Sequence, residues 1–306
     1  MSNKPLNIRQ FQARFPDEET CLSHLMRVRY GERFTCLSCF REARFYRVKA
    51  RRSFECEHCG YQVYPTAGTP FEKTRTPLHD WYYVMFLFCA SRNGVAAKEV
   101  QRQLGVTYKT AWRMCFLIRQ YMGQVDGDAP LGGRGPDDGV VEIDKTFIGG
   151  KDAMGEDDKS VVLGMIERDG EVVSRVVRDR STDSVLPHIK KFVREGSLVA
   201  TDTAGAFSTL AEWGYFHGAV DHSAKEYVRG DVHTNTIEAF WANVKRGIKG
   251  TYVWVSKKHL QTYLREFEYR HNLRRSPALM FELLLQAFPK VALQPSSGGA
   301  GRSAGR

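Results

Sequence analysis

Four cysteines near the start of the chain are spaced as two C-x-x-C pairs. Cys36 and Cys39 form the first pair, and Cys56 and Cys59 form the second, sixteen residues further on. Each pair can turn tightly enough to direct two sulfur atoms at one ion, and four thiolates complete the tetrahedral shell of structural zinc. The spacing therefore predicts a Zn²⁺ site. His58 lies inside the second pair, but four sulfurs already fill the shell, so we expect it to be a bystander.

Three acids on separate predicted elements form a second group that could do chemistry. Asp144 interrupts a strand-like apolar alternation that begins at Val140, where an acidic side chain is disfavoured. Asp202 ends a short predicted strand over 198–201, and Glu238 lies on a predicted helix over 235–249. If the first and fourth strands of this region are neighbours, both aspartates lie on one side of a sheet, and the helix can bring Glu238 to them.

Such a cluster of like charges favours divalent cations, because three carboxylates cannot all stay ionised together without them. Oxygen ligands suit Mg²⁺ or Mn²⁺. Two such ions could bind the attacking and leaving oxygens of a phosphodiester during in-line displacement. For any one of these acids taken alone, a solvated surface position remains the simpler interpretation.

Charge and composition favour some partners over others. The chain has 306 residues and a formal net charge of +10, which favours a polyanion, nucleic acid before membrane. A basic enzyme without such a partner stays open. The apolar run 81–90 is about half of a membrane span, and the polar start of the chain carries no secretion signal. We therefore expect a cytoplasmic protein with reduced thiols and no membrane partner.

The first 122 residues are predicted to form two small modules. Residues 1–70 contain a helical lead-in to about residue 30, followed by the cysteine pairs with alternating strands between them, as in a zinc ribbon. Residues 71–122 contain an apolar helix over 77–91 and two helices over 96–103 and 107–121, separated by a glycine turn.

The second of these two helices begins at Thr107, a suitable N-cap, and we expect Trp112, Cys115 and Phe116 to face the core. The pair predicts a helix-turn-helix in which Lys109 and Arg113 face DNA, although short helical pairs are also common in proteins that never bind DNA.

The remaining chain predicts a mixed α/β layer. Residues 123–139 are rich in Gly, Asp and Pro and predict an exposed linker. Beyond them the patterns predict three antiparallel strands at 140–148, 160–167 and 171–178, the last two joined by a tight turn. Helices at 182–195, 204–213 and 235–249 then alternate with short strands at 198–201 and 215–220. Two final helices follow at 257–272 and 277–288. The Gly/Ser-rich tail predicts disorder.

Two segments resemble a known family. The run H-T-N-T-I-E-A-F-W-A-N-V-K-R-G-I-K-G-T-Y from His233 to Tyr252, taken with I-D-K-T-F-I-G-G-K at 143–151 and the basic segment 255–274, resembles the DDE transposases of bacterial insertion sequences. More narrowly, it is similar to the insertion sequence 1595 family. The resemblance covers about residues 15–290. The chain departs from the family pattern at Lys145, where an acid is usual, and at Val253, near which a histidine is usual.

The resemblance implies a ribonuclease-H-like mixed sheet with flanking helices, preceded by a zinc ribbon; the helix-turn-helix between them is predicted from the helical patterns. Taken with those patterns, it gives domains at 1–70, 71–122 and 140–292 (catalytic, including the C-terminal helices), with the linker at 123–139 and the tail at 293–306. It implies a Mg²⁺- or Mn²⁺-binding triad of Asp144, Asp202 and Glu238 and zinc ligands at the four paired cysteines. Asn272 matches an asparagine that often accompanies the triad.

Basic residues near these acids are candidates for DNA contacts. Lys245, Arg246 and Lys249 follow Glu238 on the same predicted helix, and the spacing puts Lys245 and Lys249 close to its face. A solvated basic face is an equal alternative for each of the three. His233 could shuttle a proton or donate to a phosphate, although loop histidines more often do neither. A second basic cluster contains Arg270, Arg274 and Arg275.

By this resemblance the protein would bind the terminal inverted repeats of its element, cut their 3′ ends by hydrolysis and join them to target DNA by transesterification. Bringing two ends together predicts a homo-oligomer on DNA, associated with the bacterial nucleoid. Two alternatives remain: a DNA-binding regulator with an inert catalytic domain, and a structure-specific nuclease that cuts without joining.

Overall fold

Two compact units make up the chain. The computed structural model describes residues 4–126, 129–133, 135, 138–150, 159–202, 207, 209–220 and 233–289. One unit, here called the ribbon unit, combines Arg14–His79 with Leu285–Arg306. The other, here called the sheet unit, combines Met1–Ala13 with Asp80–Leu284. The tail predicted at 293–306 lies outside the described residues.

Short antiparallel strands carry the cysteines of the ribbon unit. Helix α1 (Ile8–Arg14) precedes this unit in the chain, and α2 (Glu18–Tyr30) opens it, capped by Asp17, which accepts a hydrogen bond from the Thr20 N–H at 2.7 Å. Two small antiparallel sheets follow, as the alternation between the cysteine pairs predicts: β1 (Phe34–Thr35) with β2 (Glu42–Ala43), and β3 (Phe45–Val48), β4 (Ser53–Cys56) and β5 (Gln62–Val63).

Three helices precede the main sheet: α3 (Leu78–Ala90), α4 (Ala97–Leu104) and α5 (Tyr108–Val125). Gly105 ends α4 at φ +66°, a left-handed conformation that glycine adopts without steric cost. Thr107 caps α5, accepting a hydrogen bond from the Thr110 N–H at 3.2 Å. The helical pair and its glycine turn are thus confirmed.

The buried face of α5 differs slightly from the predicted one. Cys115 is fully buried, as expected, but Trp112 and Phe116 are only half-buried. Their rings stack on each other at 5.1 Å. The buried stripe runs instead through Ala111, Met114, Cys115 and Ile118, because the 3.6-residue period of the helix centres its apolar face on these positions.

The five strands described in the sheet unit form one mixed sheet. They are β6 (Val140–Ile148), β7 (Ser160–Glu167), β8 (Val172–Val177), β9 (Leu198–Asp202) and β10 (Phe216–Val220), in the spatial order β10-β9-β6-β7-β8. Strands β6, β7 and β8 are antiparallel neighbours, whereas β9 is parallel to both β6 and β10. The predicted adjacency of the first and fourth strands is confirmed.

Separate apolar clusters cover the two faces of this sheet. On one face, Val141 and Ile143 of β6 pack with Val185 and Ile189 of α6 (Thr182–Phe192). On the other face lies α7 (Asn235–Gly247), followed by a π-helical turn at Ile248–Tyr252 and by α8 (Lys257–Asn272). Four apolar residues of α7 are buried there: Ile237, Phe240, Trp241 and Val244. Helix α9 (Pro277–Ala287) ends the described elements.

The predicted boundary within 123–139 does not separate the compact units, because residues on both sides of it belong to the sheet unit. Arg119 of α5 and Glu266 of α8 form a buried ion pair, with Arg119 Nε 2.5 Å from Glu266 Oε2. The prediction of an exposed linker is wrong at Leu131, which is 2% exposed and whose N–H donates to the Phe192 carbonyl at 2.7 Å. Helix α5 and Leu131 are therefore part of the packing within the sheet unit.

One predicted helix is also revised. Of the segment 204–213, residues 204–206 and 208 lie outside the described part of the chain. The part that is described contains a short 3₁₀-helix at Leu210–Trp213 in place of a longer α-helix. Within the described residues, no helix is both long and apolar enough to cross a membrane.

Candidate functional site

Asp144 lies in the middle of β6 on the face that α7 covers. Side chains alternate along the strand, so Val141 and Ile143 lie on the face of the sheet that α6 covers and Asp144 lies on the face that α7 covers. Two donors hold its carboxylate: the Lys145 N–H reaches Oδ1 at 2.7 Å, and the Trp241 indole Nε1 reaches Oδ2 at 3.1 Å. An acid in mid-strand is therefore fixed by the backbone on one side and by helix α7 on the other.

Asp202 lies beside Asp144 because β6 and β9 run parallel. The paired residues of the two strands end with Ile143 opposite Thr201, so Asp144 and Asp202 are the next positions along each strand. Residues side by side on neighbouring strands point to the same face of the sheet. Asp202 is the last residue of β9, which puts its half-buried carboxylate at the carboxyl end of the parallel pair.

Glu238 lies in the first turn of α7, on the same side of the sheet. Its Oε1 accepts a hydrogen bond from the Thr234 hydroxyl at 3.0 Å, and the side chain is exposed. Trp241, which donates to Asp144, is three residues further along this helix, so the two residues occupy neighbouring positions on its surface. The predicted acids thus come from β6, β9 and α7 and converge at one place.

The acids affect one another electrostatically. Burial, helped by the charges of Asp202 and Glu238, raises the pKa of Asp144 to about 6, although the hydrogen bonds from the Lys145 N–H and Trp241 oppose this shift. Among the described residues, the only group of three or more possible ligands whose atoms all lie within 4.8 Å is the cysteine cluster. The three carboxylates are therefore close enough to repel one another but more widely spaced than the four sulfurs.

Lys145, which departs from the family pattern, points away from the acids. Alternation places it on the α6 face, where its Nζ lies 4.1 Å from the centre of the Phe207 ring. Burial lowers the pKa of Lys145, and the charges of Asp202 and Asp144 oppose this shift. The side chains of Lys145 and Asp144 consequently lie on opposite faces of β6.

Glu142, which was not predicted from the sequence, is completely buried in β6 two residues before Asp144. Its carboxylate accepts hydrogen bonds from the backbone N–H groups of Thr236 and Ile237 at 2.8 and 3.0 Å. Arg168 Nε donates to it at 2.8 Å. An acid inside an alternating strand was the available signal, the same one that Asp144 gives, but its partners are far away in the chain.

The two accessory candidates lie in different places. His233 is at the start of α7, where its Nδ1 is 3.1 Å from Glu142 Oε1 without the alignment of a hydrogen bond. Asn272 is at the end of α8, against the edge strand β8. Its side chain accepts from the Val172 N–H at 2.8 Å and donates to the Val172 carbonyl at 3.1 Å. These contacts fasten α8 to β8, two strands away from Asp144.

The candidate DNA-contacting residues are exposed. Lys109 and Arg113 lie in the first two turns of α5, and Lys245 and Arg246 lie in the last turn of α7. Lys249 falls in the π-helical turn at Ile248–Tyr252, beyond the end of α7. A π turn has a different helical register from an α-helix, so the placement of Lys249 on the same face as Glu238 stays a prediction.

The four paired cysteines of the ribbon unit converge on one point. Their sulfurs all lie within 4.8 Å of one another, with Cys36 and Cys59 at 3.7 Å and Cys39 and Cys56 at 3.9 Å. Burial opposes ionisation of the Cys36 thiol, but backbone N–H donors at Cys39 and Ser38 lower its pKa to about 7. The set can hold one ion tetrahedrally, and His58 is not part of it.

Comparisons with known proteins match the two segments in which these groups of residues lie. Residues 136–272 match the family model of the ISXO2-like transposase domain, and residues 16–62 match that of the transposase zinc-ribbon domain. An uncharacterized protein in transposable element ISH50 from Halobacterium salinarum is 26% identical over 286 residues, which cover 86% of this chain and 94% of that protein. An uncharacterized transposase-like protein from Haemophilus influenzae is 30% identical over 101 residues, or 33% of this chain and 80% of that protein. This chain belongs to the insertion sequence 1595 family of transposases.

Proposed function

We propose that the protein is an active DNA transposase that binds the terminal inverted repeats of its element, cuts their 3′ ends and joins them to target DNA. The observation that carries this proposal is the parallel pairing of β6 with β9, which sets Asp144 beside Asp202 under the helix that bears Glu238. The order of the elements, three antiparallel strands followed by two parallel ones with helices on both faces, supports a ribonuclease-H-like catalytic domain.

The three carboxylates fit hard divalent cations. They offer oxygen ligands, and their mutual repulsion at Asp144 is what a bound cation would relieve. Three carboxylates from separate elements could share a pair of ions, which lie about 3.5–4 Å apart in two-metal sites. When bound, Mg²⁺ or Mn²⁺ would lower the pKa of the attacking water or 3′-hydroxyl and stabilise the leaving oxygen.

The chain's own residues would orient these ligands and the DNA. The Trp241 indole and the Lys145 N–H fix the Asp144 carboxylate so that its orientation does not change during the reaction. Lys245 and Arg246, exposed in the last turn of α7, would contact phosphates of the DNA end. In the ribbon unit, Zn²⁺ at the four cysteines would stabilise the fold.

We also propose that α4 and α5 form the helix-turn-helix that recognises the terminal repeat. The support is the left-handed Gly105 turn followed by the capped start of α5, with Lys109 and Arg113 exposed in its first two turns. Two element ends must meet for joining, so the protein would act as a homo-oligomer on DNA.

One assay separates this function from its alternatives. The protein is incubated with Mg²⁺, a target plasmid and a labelled duplex containing the DNA end that flanks its gene. Cleavage with joining is the expected result, and Asp202→Ala should abolish both. Cleavage without joining would indicate a structure-specific nuclease. Binding without cleavage, unchanged in Asp202→Ala, would indicate a DNA-binding regulator.

A matched control is Asp179→Asn, which changes an acid that pairs with Arg178 on the surface. This variant should cut and join DNA at the wild-type rate. Equal losses in Asp179→Asn and Asp202→Ala would contradict a specific role for Asp202.

A further inference from the structure

The buried carboxylate of Glu142 joins strand β6 to helix α7. Both of its oxygens accept hydrogen bonds: Oε2 accepts from the N–H groups of Thr236 and Ile237, at 2.8 and 3.0 Å, and Oε1 accepts from the Thr236 hydroxyl and Arg168 Nε, at 2.9 and 2.8 Å. The residue is 0% exposed. With its oxygens used in this way, Glu142 is not available to hold a cation itself.

Glu142 takes the place of a helix cap. The side chain of Thr234, the residue that precedes α7, makes no capping hydrogen bond to the helix N-terminus, and its hydroxyl donates to Glu238 Oε1 at 3.0 Å. The first N–H groups of a helix need acceptors, and a negative charge there is stabilised by the helix dipole. The Glu142 carboxylate, 94 residues before Thr236 in the chain, supplies both the acceptors and the negative charge. The start of α7 is therefore fixed to β6.

Arg168 and His233 complete this attachment. Arg168, which follows β7, donates from Nε to Glu142 and from Nη2 to the His233 carbonyl at 3.1 Å. Its positive charge balances the buried carboxylate, which would otherwise be costly to bury. The segment entering α7 is therefore held by two strands of the sheet.

Glu142 also lies close to the acids. It is two residues from Asp144 and on the same face of β6, while Ile237, whose N–H it accepts, is the residue directly before Glu238. We propose that Glu142 is a positioning residue that holds Glu238 against Asp144 and Asp202 and thereby sets the divalent-cation affinity of the three acids. This inference rests on the proposed metal-dependent function.

Terbium binding tests the inference without catalysis. Tb³⁺ is a hard cation that occupies oxygen-ligand sites, and Trp241, which contacts Asp144 directly, would sensitise its luminescence. Glu142→Gln keeps the shape of the side chain but removes its charge. We expect it to weaken Tb³⁺ binding by about 10- to 100-fold, the usual effect of residues that orient metal ligands, at a temperature where circular dichroism shows a folded protein.

Glu268→Gln is the matched control. Glu268 is also a buried acid, 3% exposed, and it accepts from the Ser174 N–H at 2.8 Å on the edge strand β8. The Glu268→Gln substitution should lower the melting temperature but leave the Tb³⁺ affinity unchanged. If Glu142→Gln melts below the assay temperature, Glu142→Asp replaces it, since it keeps the charge but is one methylene too short for both N–H groups.

The outcomes are distinct. Wild-type affinity in the folded Glu142 variants, or an equal loss of affinity in Glu268→Gln, would overturn the positioning role. If the wild-type protein binds no Tb³⁺, or if Asp144→Asn binds Tb³⁺ as tightly as the wild type does, the proposed metal site is overturned. The inference then fails with it.

Discussion

The indole Nε1 of Trp241 donates a hydrogen bond of 3.1 Å to Asp144 Oδ2, and the ring that carries it is packed directly on the sheet. The close approach depends on Gly164, which pairs with Asp144 on the neighbouring strand. A Cβ at this position would lie 2.3 Å from Trp241 Cζ2, closer than atoms can pack. The absence of a side chain at residue 164 thus allows helix α7 to reach the acid.

The first prediction concerns this hydrogen bond. Trp241→Phe keeps an aromatic ring on the sheet but removes the donor to Asp144. Hydrogen bonds to charged groups contribute about 1.5–3 kcal/mol, so we expect DNA cleavage to slow by about tenfold or more, measured as single-turnover rates at saturating DNA. Trp213→Phe, at an exposed tryptophan, is the control and should keep the wild-type rate. An unchanged rate in Trp241→Phe would show that Asp144 does not need the indole donor.

Local patterns in the sequence predicted those parts of the fold that local forces determine. The strand β7 was predicted with its observed bounds, 160–167, and the helix α8 likewise over 257–272, because alternation and helical periodicity are visible in short windows. Predicting that Asp144 and Asp202 converge required the assumption that β6 and β9 are neighbours. The sequence of either strand alone does not determine which distant strand it pairs with.

The features that were missed depend on distant partners. Glu142 and Asp144 give the same local signal, an acid in a strand. Only the position of α7 distinguishes Glu142, which caps this helix, from Asp144, which lies beside Asp202. The burial of Leu131 likewise depends on Phe192 and its neighbours. The direction of Lys145 follows from alternation once Asp144 is assigned to the α7 face, so this part of the site could have been predicted from the sequence.

The second prediction concerns the zinc ribbon. We expect one zinc ion per chain, and Cys59→Ser should release it and lower the thermal stability of the ribbon unit, because small modules of this kind depend on their metal to fold. Zinc content can be measured with a colorimetric chelator and stability by circular dichroism. Cys21→Ala is the control: burial raises the pKa of this thiol to about 12, so it remains protonated and should not contribute to zinc binding. Full zinc content in Cys59→Ser would contradict the four-cysteine site.

The third prediction concerns acid sensitivity. Burial lowers the pKa of His271 to about 4, and the charge of Arg274 adds to this effect. Since a histidine in the unfolded chain titrates near 6.5, the unfolded state binds the proton more readily between these values. His271 therefore lowers stability as the pH falls from about 6.5 to about 4, by at most about 1.4 kcal/mol per pH unit.

Urea denaturation of His271→Asn at pH 7 and pH 5 tests this expectation. The variant should lose less stability between the two pH values than the wild type does, whatever their difference at pH 7, because other titrating groups are the same in both proteins. Equal losses would mean that His271 is readily protonated in the folded protein.

The last prediction concerns recognition of DNA by α5. Lys109 is exposed in the first turn of this helix, and if it contacts a phosphate, Lys109→Ala should release about one counterion fewer on binding. The slope of log affinity against log salt concentration should then become shallower by about 1, as measured by fluorescence anisotropy with the terminal-repeat duplex. Arg178→Ala removes a surface arginine that already pairs with Asp179 at 2.8 Å, and its slope should equal that of the wild type. If both variants keep the wild-type slope, Lys109 contacts no phosphate, and α5 would have to read the DNA through other side chains or not at all.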